Sequence, residues 1–203
     1  MSDDNIAPYS LHPLLPQEAQ DQAEIEPVVT LHIGFLLMPE YTLSTFSNAI
    51  GILRMANRLS GRELYRWSIY SLDGEPVTSS CGLEIQIYGA LKSATDVKIL
   101  LVCGGYHIRQ YCTKLLTDAL RGFAKKKIPL GGLCTGSYAL ATAGLLDGYR
   151  CTIHWENLAS MREEFPKLQL SSKLFAIDRD RYTCSGGISS IDLMLSLIAS
   201  IHG

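Results

Sequence analysis

The sequence predicts an α/β protein: a three-layer, open, mostly parallel sheet with helices on both faces. Three observations carry the prediction. Apolar runs that read as strands alternate with stretches of helical spacing from about residue 28 to the end. The runs at 28–37, 97–102 and 128–133 are apolar nearly throughout, as strands covered on both faces are. The loops that join strands to helices are short, with turn signals such as Asp73-Gly74 and Asp147-Gly148. In such sheets a ligand sits beyond the carboxyl ends of the strands, where strand order reverses.

Composition narrows the function classes. At 203 residues and 47% hydrophobic, the chain can bury one sizeable core. A formal charge of −2 excludes a basic nucleic-acid-binding module, and no apolar stretch is long enough to span a membrane. The six cysteines, Cys81, Cys103, Cys112, Cys134, Cys151 and Cys184, form no Cys-x-x-Cys pair. They read as free thiols of a cytoplasmic protein without a disulfide framework. The five histidines are scattered, so neither a metal nor another cofactor is expected. Residues 1–26 carry three prolines and no periodicity and read as a disordered leader or arm; one domain fills 27–203.

Taken in order, the run 28–37 is a central strand and 38–41 its turn. Residues 42–59 place Phe46, Ile50, Leu53, Met55 and Leu59 at helical spacing, and Gly61 ends that helix. Residues 65–72 form a second strand closed by Asp73-Gly74. Residues 83–87 alternate strictly and predict a half-exposed strand in a hairpin arm. The strand at 97–102 runs into Cys103-Gly-Gly105, and 111–127 is a helix ending in three lysines that suit a C-terminus. After the strand 128–133 a helix spans 137–143. A short strand at 149–153, a helix at 157–165 stopped by Pro166, a hairpin of 174–177 with 182–184, and a helix at 189–202 complete the chain.

Everything is organised around Gly132-Leu-Cys-Thr-Gly136. An apolar strand turning at once into a small-residue helix has the shape of a nucleophile elbow. Cys134 at such a bend is expected to be partly accessible, and nearby helix N–H groups would ease loss of its proton. The plainer reading is a small buried core residue. The other strand ends carry Glu40, Gly104-Gly105 and His154, so four segments are expected to converge on one pocket with Cys134 and Thr135.

With these residues in view, the chain resembles the class I glutamine amidotransferase-like superfamily, of flavodoxin-like architecture, in its DJ-1/PfpI branch. More narrowly it resembles the N-terminal sensor domain of GlxA-type AraC-family regulators. The stretches that carry this are Phe35-Leu-Leu-Met-Pro39, Ala56-Asn-Arg-Leu59, Cys134-Thr-Gly136, Ala143-Gly-Leu-Leu-Asp-Gly148, Thr152-Ile-His-Trp155 and Arg181-Tyr-Thr-Cys-Ser-Gly-Gly-Ile-Ser-Ser-Ile-Asp192. The elbow, His154-Trp-Glu156 and Asp178-Arg-Asp-Arg181 are similar to the subgroup that senses arginine, glycine betaine or carnitine.

The resemblance implies a role for each site position. Hydrolytic members place a histidine directly after the cysteine, where this chain has Thr135. Members with an early acid would place it near Thr45 or Gly51, and Glu40 is the nearest carboxylate. His154 is the one candidate base. A cysteine nucleophile needs a base in reach and a group orienting that base, so no catalytic residue is assigned. The expected ligand-binding set is Glu40, Thr45, Gly105, Cys134, Thr135, His154, Trp155 and Glu156. Trp155 and Glu156 suit a quaternary ammonium or other cation, and the elbow N–H groups suit a carboxylate. Each has a plain alternative: a structural His154, a core Trp155, and Glu156 at the first turn of the next helix.

Three functions follow. The first is a ligand-sensing, homodimeric domain of a transcriptional regulator whose DNA-reading helix-turn-helix lies in a C-terminal domain outside this chain. The second is a PfpI/DJ-1-like cysteine hydrolase or glyoxalase-like enzyme using Cys134 and His154. The third is an oligomerisation scaffold. The first is preferred, with glycine betaine, carnitine or arginine as the metabolite.

Overall fold

A computed structural model describes residues 29–203. The leader expected at 1–26 lies outside the described residues. The centre is a seven-stranded sheet in the order β10–β11–β7–β6–β1–β2–β5. Its strands are β1 (Leu31–Leu37), β2 (Tyr65–Ser71), β5 (Gly89–Ala90), β6 (Ile99–Cys103), β7 (Leu130–Leu133), β10 (Phe175–Asp178) and β11 (Arg181–Cys184). All neighbours are parallel except β10, which pairs antiparallel with β11. The chain steps from β1 outward to β2 and β5, then returns to the other side of β1 with β6. The order therefore reverses between β1 and β6, which is where this class of sheet opens a ligand crevice.

Helices cover both faces. On one, α1 (Leu43–Ser60) and α6 (Ser189–His202) bury Phe46, Leu53, Leu193 and Leu197 against Ile33, Phe35 and Leu37 of β1. On the other, α3 (Lys114–Lys125) and α4 (Gly136–Thr142) bury Leu116, Leu120 and Leu140 against Leu36, Leu100 and Val102. Successive residues of one strand serve opposite cores, which is why these strands read as unbroken apolar runs. This is the three-layer, flavodoxin-like architecture expected. Replacing Leu101, fully buried between the layers, by Ala would cost about 2–5 kcal/mol.

Local chemistry explains where the structure departs from expectation. The helix expected at 111–127 is divided. A short α2 (Ile108–Tyr111) comes first, and Thr113 then caps α3 by accepting the Leu116 N–H on its hydroxyl at 3.3 Å. The expected strand at 83–87 shrinks to β4 (Glu84–Ile85), paired antiparallel with β3 (Val77–Thr78). The edge strand β5 was missed, because two residues carry no periodicity. The strand expected at 149–153 is only β8 (Arg150–Cys151), paired with β9 (Gln169–Leu170) in a separate two-stranded sheet. His154 therefore does not end a strand of the central sheet. Gly61 does end α1 as expected, in the left-handed conformation at φ 65°. No helix among the described residues is long and apolar enough to cross a membrane.

Candidate functional site

The site forms where the carboxyl ends of β1, β6, β7 and β11 meet. β7 ends at Leu133 and α4 begins at Gly136, so the chain reverses within two residues. Cys134 makes that reversal with φ at +58°, a strained position for a residue with a Cβ. Gly136 is required beside it, because a Cβ there would lie 2.0 Å from the Val102 carbonyl oxygen of β6. Gly186, at φ +94°, packs its Cα directly over the cysteine, and a Cβ there would meet Sγ at 2.9 Å.

Those contacts bury Cys134 to 5% exposure. Burial pushes its thiol above the ordinary cysteine value, and the Glu156 charge adds to this. The Thr42 hydroxyl and the Thr135 backbone N–H only partly offset it. The accessible, easily deprotonated thiol expected from the sequence is therefore corrected: the elbow geometry holds, but the packing that produces it buries the thiol. Cys103 and Cys184, on the neighbouring strands, are also buried and pushed up, and all six cysteines are free.

A cavity of about 760 Å³ opens above the elbow. Gly105, Cys134, Thr135, His154, Trp155 and Glu156 all line it, so the structure brings six of the eight expected positions together. Thr135 donates its hydroxyl proton to the Gly105 carbonyl at 2.7 Å, which ties β7 to the turn after β6. His154 is drawn in by its backbone, whose N–H donates to the Cys134 carbonyl at 3.3 Å. Its imidazole makes no hydrogen bond to Sγ. It leans instead toward Glu156, with Nδ1 and Oε2 3.6 Å apart, and tilts against the Trp155 ring. Trp155 is not core: it is 69% exposed on a single 3-10 turn spanning Trp155–Asn157.

Two expected positions lie elsewhere. Thr45 is buried within α1, and its hydroxyl oxygen accepts the Gly187 N–H at 2.7 Å. It holds the loop above Cys134 and does not reach the cavity. Glu40 adopts φ +59° and pairs with His107 Nδ1 at 2.7 Å. It faces a second cavity of about 430 Å³ beside Asp73 and Glu75, while His107 lines the larger one.

Sequence reasoning missed Thr42, Tyr106, His107 and Arg109, which also line the larger cavity. Thr42 opens the first helix directly after the β1 turn, a position the strand-end rule could have flagged. The other three follow Gly105, but nothing in their spacing marks them before the short α2 is known. Among the described residues no group of His, Cys, Asp or Glu is placed to hold a metal ion. The arrangement offers a polar and aromatic chamber over a protonated thiol that has no hydrogen-bonded base. That suits binding better than nucleophilic attack.

Comparison with known proteins agrees. A family model described as the DJ-1/PfpI family matches residues 41–200. The HTH-type transcriptional regulator GbdR of Pseudomonas aeruginosa is 50% identical over 171 residues, covering 84% of this chain and 47% of GbdR. The HTH-type transcriptional regulator CdhR of the same species is 43% identical over 169 residues, covering 83% of this chain and 50% of CdhR. The chain thus spans about half the length of these two relatives, and both are named as transcriptional regulators. The crystal structure of an AraC family transcriptional regulator from Pseudomonas putida superposes with a TM-score of 0.76 at 31% identity, over 85% of this chain and 93% of that one. With the elbow, the sheet order and these matches in agreement, the chain belongs to the DJ-1/PfpI family, as a domain homologous to AraC-family transcriptional regulators of the GbdR and CdhR type.

Proposed function

We propose that this chain is the ligand-sensing and dimerising domain of a cytoplasmic AraC-family transcriptional regulator. The cavity over Cys134 binds a small cationic or zwitterionic metabolite and does not turn it over. DNA binding belongs to a further domain of the intact regulator, consistent with relatives about twice this length. The observation that carries the reading is a roomy cavity closed at its floor by an elbow cysteine that is buried, protonated and unserved by a base. Its volume falls within the range usual for small-molecule sites, about 300–1,000 Å³.

The chemistry of the wall favours a positively charged group. Trp155 and Tyr106 present exposed aromatic rings, and Glu156 adds a carboxylate. A quaternary ammonium is attracted to such faces by the ring quadrupole. Gly105, Cys134 and Thr135 form the floor, and His154 orients Trp155 and Glu156. Glu40 acts from behind the wall, by holding His107. Glycine betaine, carnitine and arginine are the candidate ligands, on the strength of the subgroup resemblance at the elbow and at His154-Trp-Glu156.

Titration calorimetry with the three compounds tests this. One compound is expected to bind saturably at one site per chain, and Trp155→Ala or Glu156→Ala should abolish the heat while circular dichroism stays unchanged. Silence with all three, together with hydrolase or glyoxalase turnover that disappears in Cys134→Ala, would establish the enzyme reading instead. That second reading rests on Cys134 and His154 sharing one cavity.

A further inference from the structure

Arg109, on α2, lines the same cavity from the β6 side. Its guanidinium is held at two points. One Nη forms an ion pair with Glu164 Oε1 of α5 (Leu158–Glu164) at 2.5 Å, and the group lies over the Tyr138 ring of α4 with 5.2 Å to the centroid. Tyr138 in turn donates its hydroxyl to the other carboxylate oxygen of Glu164 at 2.7 Å. Glu164 is thus shared between a cation and a phenol, and the fork of Arg109 is held by groups from two other helices. Its remaining N–H groups have no partner among the described residues. Among the described residues no other Arg or Lys lines the wall, and Glu156 is the sole Asp or Glu there.

We propose that Arg109 is the anchor for a ligand carboxylate, so that the site selects a zwitterion over a simple cation. This rests on the sensing reading above and deepens it. A planar fork with free N–H groups pairs with a carboxylate in bidentate geometry, and stacking on Tyr138 pre-orders it. The ammonium end of the ligand then meets Trp155, Tyr106 and Glu156. One fixed cation and one carboxylate on separate elements of a single wall are the complement of a zwitterion.

Calorimetry with paired probes tests the assignment. Glycine betaine, carnitine and arginine are each compared with an analogue lacking the free carboxylate: choline, carnitine methyl ester and agmatine. The wild-type protein is expected to prefer the carboxylate member of its pair by roughly ten- to hundredfold, and Arg109→Gln to erase that preference by weakening the carboxylate member alone. Glu164→Gln, which removes the competing carboxylate, is expected to keep or strengthen the preference. Equal binding of both members in the wild type, or a preference that survives Arg109→Gln, overturns the anchor while leaving the sensing reading standing. So does an identical loss in Arg109→Gln and Glu164→Gln, which would make the ion pair structural. Failure of every compound to bind overturns both. Should Arg109→Gln not fold, Arg109→Lys takes its place, with a partial loss of preference expected because one ammonium cannot form the fork.

Discussion

Thr42 donates its hydroxyl proton to Cys134 Sγ at 3.4 Å, across 92 residues of sequence. Thr42 is also the N-cap residue of α1, yet its side chain caps nothing there. The residue type that usually closes a helix end is turned onto the elbow thiol instead, and so links the end of β1 to the end of β7.

That bond stabilises the thiolate while burial opposes it. Alkylation of Cys134 by iodoacetamide at neutral pH is therefore expected to be slow and to quicken as pH rises. Thr42→Val should slow it further, by roughly two- to tenfold for loss of one hydrogen bond. Peptide mass spectrometry reads the rate. Faster labelling in Thr42→Val would mean that the hydroxyl shields the sulfur more than it stabilises the anion.

Close approach makes Gly136 irreplaceable at the elbow, whereas Gly122 in α3 meets no such contact. Gly136→Ala forces a Cβ against the Val102 carbonyl and is expected to cost about 3 kcal/mol or more. Gly122, inside α3, has open space where a Cβ would go, so Gly122→Ala should stabilise by about 0.5–1 kcal/mol. Urea unfolding midpoints measure both.

His32 is buried near the amino end of β1. Its Nε2 meets Ser68 Oγ at 2.9 Å, and its Nδ1 lies 3.1 Å from Asp96 Oδ2 without hydrogen-bond geometry. Burial lowers its pKa below 6.5, Arg66 and Lys98 add to this, and Asp96 offsets part of it. The unfolded chain thus takes up a proton near pH 6.5 that the folded one resists. This site's contribution to stability is present at pH 7 and falls as the pH drops below 6.5 toward the folded pKa. His32→Gln should flatten that slope in denaturant melts between pH 7 and 5. An unchanged slope would refute the assignment.

The proposed dimer predicts a mass of twice 22.4 kDa by sedimentation at micromolar concentration. α6 presents Leu195 and Ile201 to solvent, Ile188 is exposed at its N-cap, and Leu59 is exposed at the end of the adjoining α1. That is apolar surface a monomer would leave bare. Leu195→Glu should return the protein to a single 22.4 kDa species without loss of helicity. A wild-type protein that stays at that mass sinks the dimer.

The sequence by itself determined the α/β class, the two-sided sheet and the elbow. Each depends on local information: apolar runs at 28–37, 97–102 and 128–133, helical spacing after them, and glycines flanking Cys134. It also named six positions that share the cavity wall: Gly105, Cys134 and Thr135 because strand ends converge in a sheet of this order, and His154, Trp155 and Glu156 through the family resemblance. Tertiary structure decided the rest. Gly186, more than fifty residues away, seals the thiol and reverses the expected direction of its proton affinity. Thr45 and Thr42 are three residues apart on one helix start, and only packing sends one to the Gly187 backbone and the other to the cysteine. Arg109 carries no mark in the sequence, since its meaning lies in Tyr138 and Glu164, brought beside it by two other helices. Periodicity reports which face a residue takes on its own element. It holds no information on which groups from distant elements meet there, and burial and electrostatics depend on those meetings.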